Sequence, residues 1–188
     1  MLLLTELYRK YFALAKALWN KQNQSTPSAD IIEDILGRRL PTPNDTRWNA
    51  LFDAVKVLVA QKPKLNAVMD ALGFRQFSNE EFLFAEEYIQ ATKALAISLD
   101  TLQSDKASLG CILPTIVKLE AYYKNIISQN SLMIAEPMAK FILKDLQNRV
   151  KKENYFTDKD YILGKVFKIN TYNISLIVPT CHQVGTMI

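Results

Sequence analysis

Glycine is scarce in this chain, five residues in 188, histidine occurs once, cysteine twice, and no apolar run approaches membrane length. So few glycines, set among long stretches of helical period, argue against a sheet-rich fold and for an all-α one. The apolar start, Met1 to Leu4, is broken by Glu6, Arg9 and Lys10, far short of the about 20 apolar residues a membrane span needs or the core of a secretory signal. A soluble, intracellular protein without membrane contact is the expectation. Cys111 and Cys181 lack metal-ligand spacing, and His182 adjoins one of them; neighbours in sequence cannot chelate one ion usefully, so both cysteines read as reduced thiols and no metal or other cofactor is expected. There is no glycine-rich phosphate loop and no Ser-His-Asp set. The carboxylate pairs Glu33-Asp34 and Glu86-Glu87 are adjacent residues, which point to different sides of a helix and are expected on the solvated surface.

What is present is the mix of a globular domain, 49% hydrophobic and 22% charged, long enough for one good-sized core or two small ones. The net charge of +4 and pI near 9.0 permit contact with nucleic acid without requiring it. Apolar residues at Leu4, Leu7, Tyr8, Tyr11, Leu14, Ala15 and Leu18 predict an amphipathic helix from Leu2 to about Gln22. Thr26-Pro27 reads as a cap and first helical position, with Ile31, Ile32, Ile35 and Leu36 following and Gly37 ending the helix. Arg38, Arg39, Pro41 and Pro43 form a stiff basic connector. Pro63 is expected to end the next helix near Lys62, and a short helix from Leu65 to Leu72 closes at Gly73.

Ser78-Asn79-Glu80-Glu81 is a capping box ahead of Phe82, Ala85, Ile89, Thr92, Ala96 and Leu99, in a helix running to about Leu102. After the polar break Ser104–Ser108, Ile112, Leu113, Ile116, Leu119, Tyr123 and Ile127 form another stripe, with Pro114 in its first turn or kinking it. A last helix, about Leu132 to Val150, turns Met138, Phe141, Ile142 and Leu146 inward and Lys140, Lys144, Arg149, Lys151 and Lys152 outward; its far end is the most basic patch in the sequence. Beyond Asn154 the period decays, so residues 1–153 read as a helical domain and 154–188 as an irregular tail.

The stretch from Pro41 to Val59 is the most informative. Asn44, Asp45 and Thr46 offer side-chain acceptors for a helix start, and Trp48, Leu51, Phe52, Val55 and Leu58 fall in one stripe. Thr46-Arg47-Trp48-Asn49, followed by an apolar residue, an aromatic and an acid, resembles the Thr-Arg-Trp-Asn-Ser motif of hAT-family DNA transposases. The resemblance extends to Ala17-Leu18-Trp19-Asn20-Lys21-Gln22 upstream and Leu109-Gly110-Cys111-Ile112-Leu113-Pro114-Thr115-Ile116 downstream, and stops near Leu163. It implies a multi-helix bundle like the insertion domain that extends from the ribonuclease H-like catalytic sheet of these transposases, and a nuclear location.

Such enzymes cut DNA with two metal ions held by two aspartates and a glutamate. Neither neighbourhood is recognisable in this chain, nor are the family's zinc-finger module and its Cys-or-Asp, two-residue, His motif, so no enzymatic activity is expected. The resemblance implies DNA, a transposon end or hairpin, as partner: the indole of Trp48 would stack on a flipped base and Arg47 would meet phosphate. From the helix stripe alone, Trp48 reads as a core residue ahead of a DNA contact. Two other readings stay open: a helical protein-interaction module domesticated from a transposase, and a truncated product without selected function.

Overall fold

The computed structural model describes residues 2–43, 49–105, 107 and 109–152. Among them the fold is all-α: α1 (Leu2–Gln24), α2 (Thr26–Leu36), α3 (Ala50–Ala60), α4 (Lys62–Ala71), α5 (Asn79–Gln103), a single turn of 3-10 helix at Leu109–Cys111, α6 (Ile112–Ser128) and α7 (Glu136–Lys152). No strand occurs among the described residues. No helix there is long and apolar enough to cross a membrane. The irregular tail expected from residue 154, with Cys181 and His182, lies outside them.

The chain divides into two compact units, residues 1–89 and 90–187, and the division falls inside α5. In the first unit α2 packs on α1 and α4, and α3 on α4. Its core is aromatic. Tyr11 and Phe12 of α1 meet Phe84 of α5 edge-on at 5.7 and 6.3 Å, Phe12 meets Tyr88 at 5.4 Å, and Phe77 closes on Tyr11 at 5.3 Å. Each such pair contributes roughly 0.5–1.5 kcal/mol beyond the area it buries. In the second unit α6 packs on α7, and two adjacent tyrosines of α6 reach α5, the Tyr122 hydroxyl donating to the Gln90 carbonyl and the Tyr123 hydroxyl to the Ala91 carbonyl, each at 2.7 Å.

Helix ends follow local chemistry. The Ser78–Glu81 capping box forms in both directions: the Glu81 amide donates to Ser78 Oγ at 3.1 Å and the Ser78 amide to Glu81 Oε2 at 2.8 Å. The same carboxylate is only 2% exposed and takes two further bonds from Arg75, at 2.8 and 2.6 Å. Burial pushes the Glu81 carboxyl up, but the Arg75 fork and the Ser78 amide and hydroxyl outweigh it, holding the group below its usual range. At the end of α4, Gly73 takes φ 75° and lets its own amide reach Asp70 and that of Phe74 reach Met69. Asn130 does the same for α6 at φ 48°, with its amide on Ile127 and that of Ser131 on Ile126.

Several expectations are corrected. The cap of α2 is Ser25, not Thr26: its Oγ accepts from the Ser28 amide at 3.3 Å, which moves Thr26 and Pro27 into the first turn. α3 ends at Ala60, close to the expected Lys62, but the next helix starts at Lys62 and not at Leu65, so that Pro63 falls inside it. Pro63 sits in the first turn of α4, where a missing amide donor costs no helical bond, and Gln61 alone separates α3 from α4. Pro114 likewise lies in the first turn of α6. Glu87 is buried, not solvated, because α5 is packed round most of its circumference. Phe12, Trp19, Phe84 and Tyr88 join the core, while Tyr8, Ile31, Ile35, Leu51, Phe52, Leu113, Ile127 and Phe141 sit half-exposed at its edge.

Candidate nucleic-acid interface

The stretch that carries the transposase resemblance is entered by the connector between α2 and α3. Its basic residues, Arg38 and Arg39, are exposed, but Leu40 between them and Pro41 is buried. The residue that holds it is Gln22, in the last turn of α1. Its Nε2 donates to the Leu40 carbonyl at 2.9 Å while the Leu40 amide donates to its Oε1 at 2.8 Å, so one side chain satisfies both backbone groups of one residue. Thr42 Oγ1 adds a bond to Asn23 Oδ1 at 3.2 Å. Arg39 is drawn back on α2, its Nε 2.9 Å from Glu33 and an Nη 3.6 Å from Asp30.

Gln22 belongs to the upstream stretch of the resemblance, Ala17 to Gln22, and Leu40 directly precedes the stretch from Pro41 to Val59. A two-bond clamp across 18 positions of sequence thus ties the upstream stretch to the connector. Trp19, in the same upstream stretch, is a core residue at 2% exposure. On the far side of the motif Asn49 is buried, and its carbonyl accepts the first bond of α3 from the Asp53 amide at 2.9 Å. The expected start at Asn44, Asp45 or Thr46 is later in fact: α3 begins at Ala50, with Asn49 in the cap position and no side-chain cap bond. Asn44, Asp45, Thr46 and both predicted site residues, Arg47 and Trp48, lie outside the described residues.

Beside the clamp, a cavity of about 580 Å³ opens among Asn23, Gln24, Thr26, Arg39 and Thr42. Its lining offers hydrogen bonds, and its one cation is already tied to Glu33 and Asp30. Nothing in it is arranged to move a proton or attack a bond. Among the described residues no group of three histidine, cysteine, aspartate or glutamate side chains could hold a metal ion. Cys111, half-buried, sits in the cap position of α6.

Gln22 is the residue that sequence reasoning quoted without giving it a role. The signal was there, since Tyr11, Ala15, Leu18 and Gln22 follow at helical spacing and an amide at the end of an apolar stripe must be satisfied inside the fold. No protein-family model, no curated protein and no solved structure matches this chain.

Proposed function

We propose that this chain is the helical, DNA-contacting part of an hAT transposase-like protein, similar to the insertion domain on a ribonuclease H-like core, and that residues 1–188 carry no phosphoryl-transfer centre. The observation that supports this reading is the Gln22–Leu40 clamp, which ties one of the family-like stretches, Ala17 to Gln22, to the connector that leads toward Arg47 and Trp48. Under this reading Arg47 contacts a phosphate and Trp48 stacks on an unpaired base at a hairpin or flap.

Stacking contributes about 1–3 kcal/mol per base and does not depend on sequence. Trp48→Ala is therefore expected to weaken binding to hairpin DNA by about ten- to a hundredfold at fixed salt, with the urea midpoint unchanged. If the indole is core instead, the same change lowers stability by about 3–5 kcal/mol and any binding loss follows unfolding. Hairpin DNA bound equally by the wild type and a folded Trp48→Ala protein would end the stacking reading. The absence of a catalytic centre is tested separately, by incubating the pure protein with supercoiled DNA and Mg²⁺ or Mn²⁺; nicking that disappears on mutation of a carboxylate in this chain would refute it.

A further inference from the structure

The charge of this chain is unevenly placed. Residues 1–89 hold eleven basic and eleven acidic side chains, residues 153–188 three of each, and residues 90–152 nine basic against five acidic. The whole net charge of +4 is therefore that of residues 90–152. Within them, α7 carries Lys140, Lys144 and Lys151 exposed. At 3.6 residues per turn these three lie within about 40° of one another round the helix, and at 1.5 Å per residue they span about 16 Å along it. They form a straight row.

A fourth lysine joins the row from α6. Glu120 accepts from Lys124 at 2.8 Å and from Gln147 at 2.8 Å, and Gln147 lies on the same side of α7 as the three lysines, so Lys124 is brought beside them. Two carboxylates face the row, Glu120 and Glu136, the latter 2.8 Å from Lys140. Both are i,i+4 contacts in which the lysines are 61% and 56% accessible and the carboxylates 25% and 31%, surface pairs that contribute little and leave the lysine heads open to a stronger anion. Asp145 is taken by Arg149 at 2.7 Å on the flank.

We infer that the α7 lysine row, with Lys124, is a sequence-independent docking surface for the phosphate backbone of duplex DNA. Phosphate fits better than a lipid surface because the apolar side of α7, Met138, Ala139, Ile142, Leu146 and Val150, is buried in the fold and leaves only the half-exposed Phe141 and Leu143 on that helix, too little for insertion into a bilayer. The inference does not rest on Trp48 or on the hairpin reading. It concerns a different helix and ordinary duplex.

The test uses the full chain and a short labelled duplex of mixed sequence, followed by fluorescence anisotropy. Three or four neutralised phosphates give a slope of about −3 in log affinity against log salt, so affinity should fall roughly 40- to 150-fold between 50 and 200 mM salt. Lys140→Glu, Lys144→Glu and Lys151→Glu together should remove most of that slope and weaken binding at 50 mM salt at least tenfold. Lys16→Glu, Lys56→Glu and Lys64→Glu, three exposed positions of the first unit, change the net charge equally and should leave binding within about twofold. Should the α7 triple variant lose its helical circular dichroism, the triple glutamine variant takes its place. Equal losses from both triple variants, a flat salt dependence of the wild type, or capture by phosphatidylserine vesicles that depends on the row while duplex binding does not, would each overturn the proposal. A Trp48→Ala protein that still binds duplex but not hairpin DNA would leave it intact.

Discussion

Replacing Gln22 with methionine keeps the length and most of the volume of the side chain but removes both bonds to Leu40. Two outcomes compete. If the connector stays in place, the Leu40 amide and carbonyl are left buried without partners, at about 1–3 kcal/mol each. If it leaves, Leu40, now 3% exposed, enters water at about 1.5–3 kcal/mol. The molecule takes the cheaper route, so the loss is bounded by the second figure and should lie near 2–3 kcal/mol, roughly a 5–10 °C fall in Tm for a chain of this size. Urea titration gives the stability change, and amide exchange tells the two routes apart. Release predicts that the Leu40 amide exchanges orders of magnitude faster in the variant while amides in the middle of α1 keep their rates. A Gln22→Met protein within about 0.5 kcal/mol of wild type, with the Leu40 amide still protected, would refute the claim that this clamp holds the connector. Under the functional reading, release should also weaken hairpin binding even though Gln22 touches no DNA.

Two tyrosine-to-phenylalanine changes should have opposite signs. Tyr123→Phe deletes a buried bond to the Ala91 carbonyl and should cost about 1 kcal/mol in urea titration. The Tyr11 hydroxyl is buried with no partner, and burial, then the charge of Glu81, push its ionisation far up, so Tyr11→Phe should be neutral or stabilising by up to about 1–2 kcal/mol. Arg75→Gln should cost about 1.5–3 kcal/mol by breaking the fork on Glu81. Because the folded Glu81 carboxyl is held below its ordinary value of 4.5, the stability it contributes is complete above that pH and lost as pH falls through the folded value. Wild type should thus lose stability on acidification below about pH 4.5 more steeply than Glu81→Gln, and parallel acid profiles would contradict this.

The features legible in the sequence are those decided by a few neighbouring residues. Ser78 and Glu81 are three apart and cap each other wherever the rest of the chain goes; Gly73 is needed because the closing residue has positive φ. The lengths of α1 and α5 follow from sustained period, and both are close to expectation. What could not be read is the width of each buried face. A stripe gives the centre of a helix face, but whether Phe12 and Trp19 fall inside or Leu51 and Phe52 outside depends on which helices lie alongside. Pro63 shows a different limit, because proline forbids the middle of a helix yet suits its first turn, so it marks a boundary without saying on which side. Gln22 was hidden for a third reason: its partner is a backbone, and backbone groups leave no mark in a sequence.

The division between the two compact units has a practical consequence for taking the molecule apart. Most chains change unit in a loop, where a protease or a stop codon can separate the parts. Here the change falls between Ile89 and Gln90, inside a helix that runs unbroken from Asn79 to Gln103, with Tyr88 and Ala91 buried on either side. A cut at that bond would leave the first fragment with the bare carbonyls of a broken helix and the second with four amides that have no cap. Fragments meant to carry either unit alone should therefore both retain residues 79–103, two copies of a segment that the intact chain uses once.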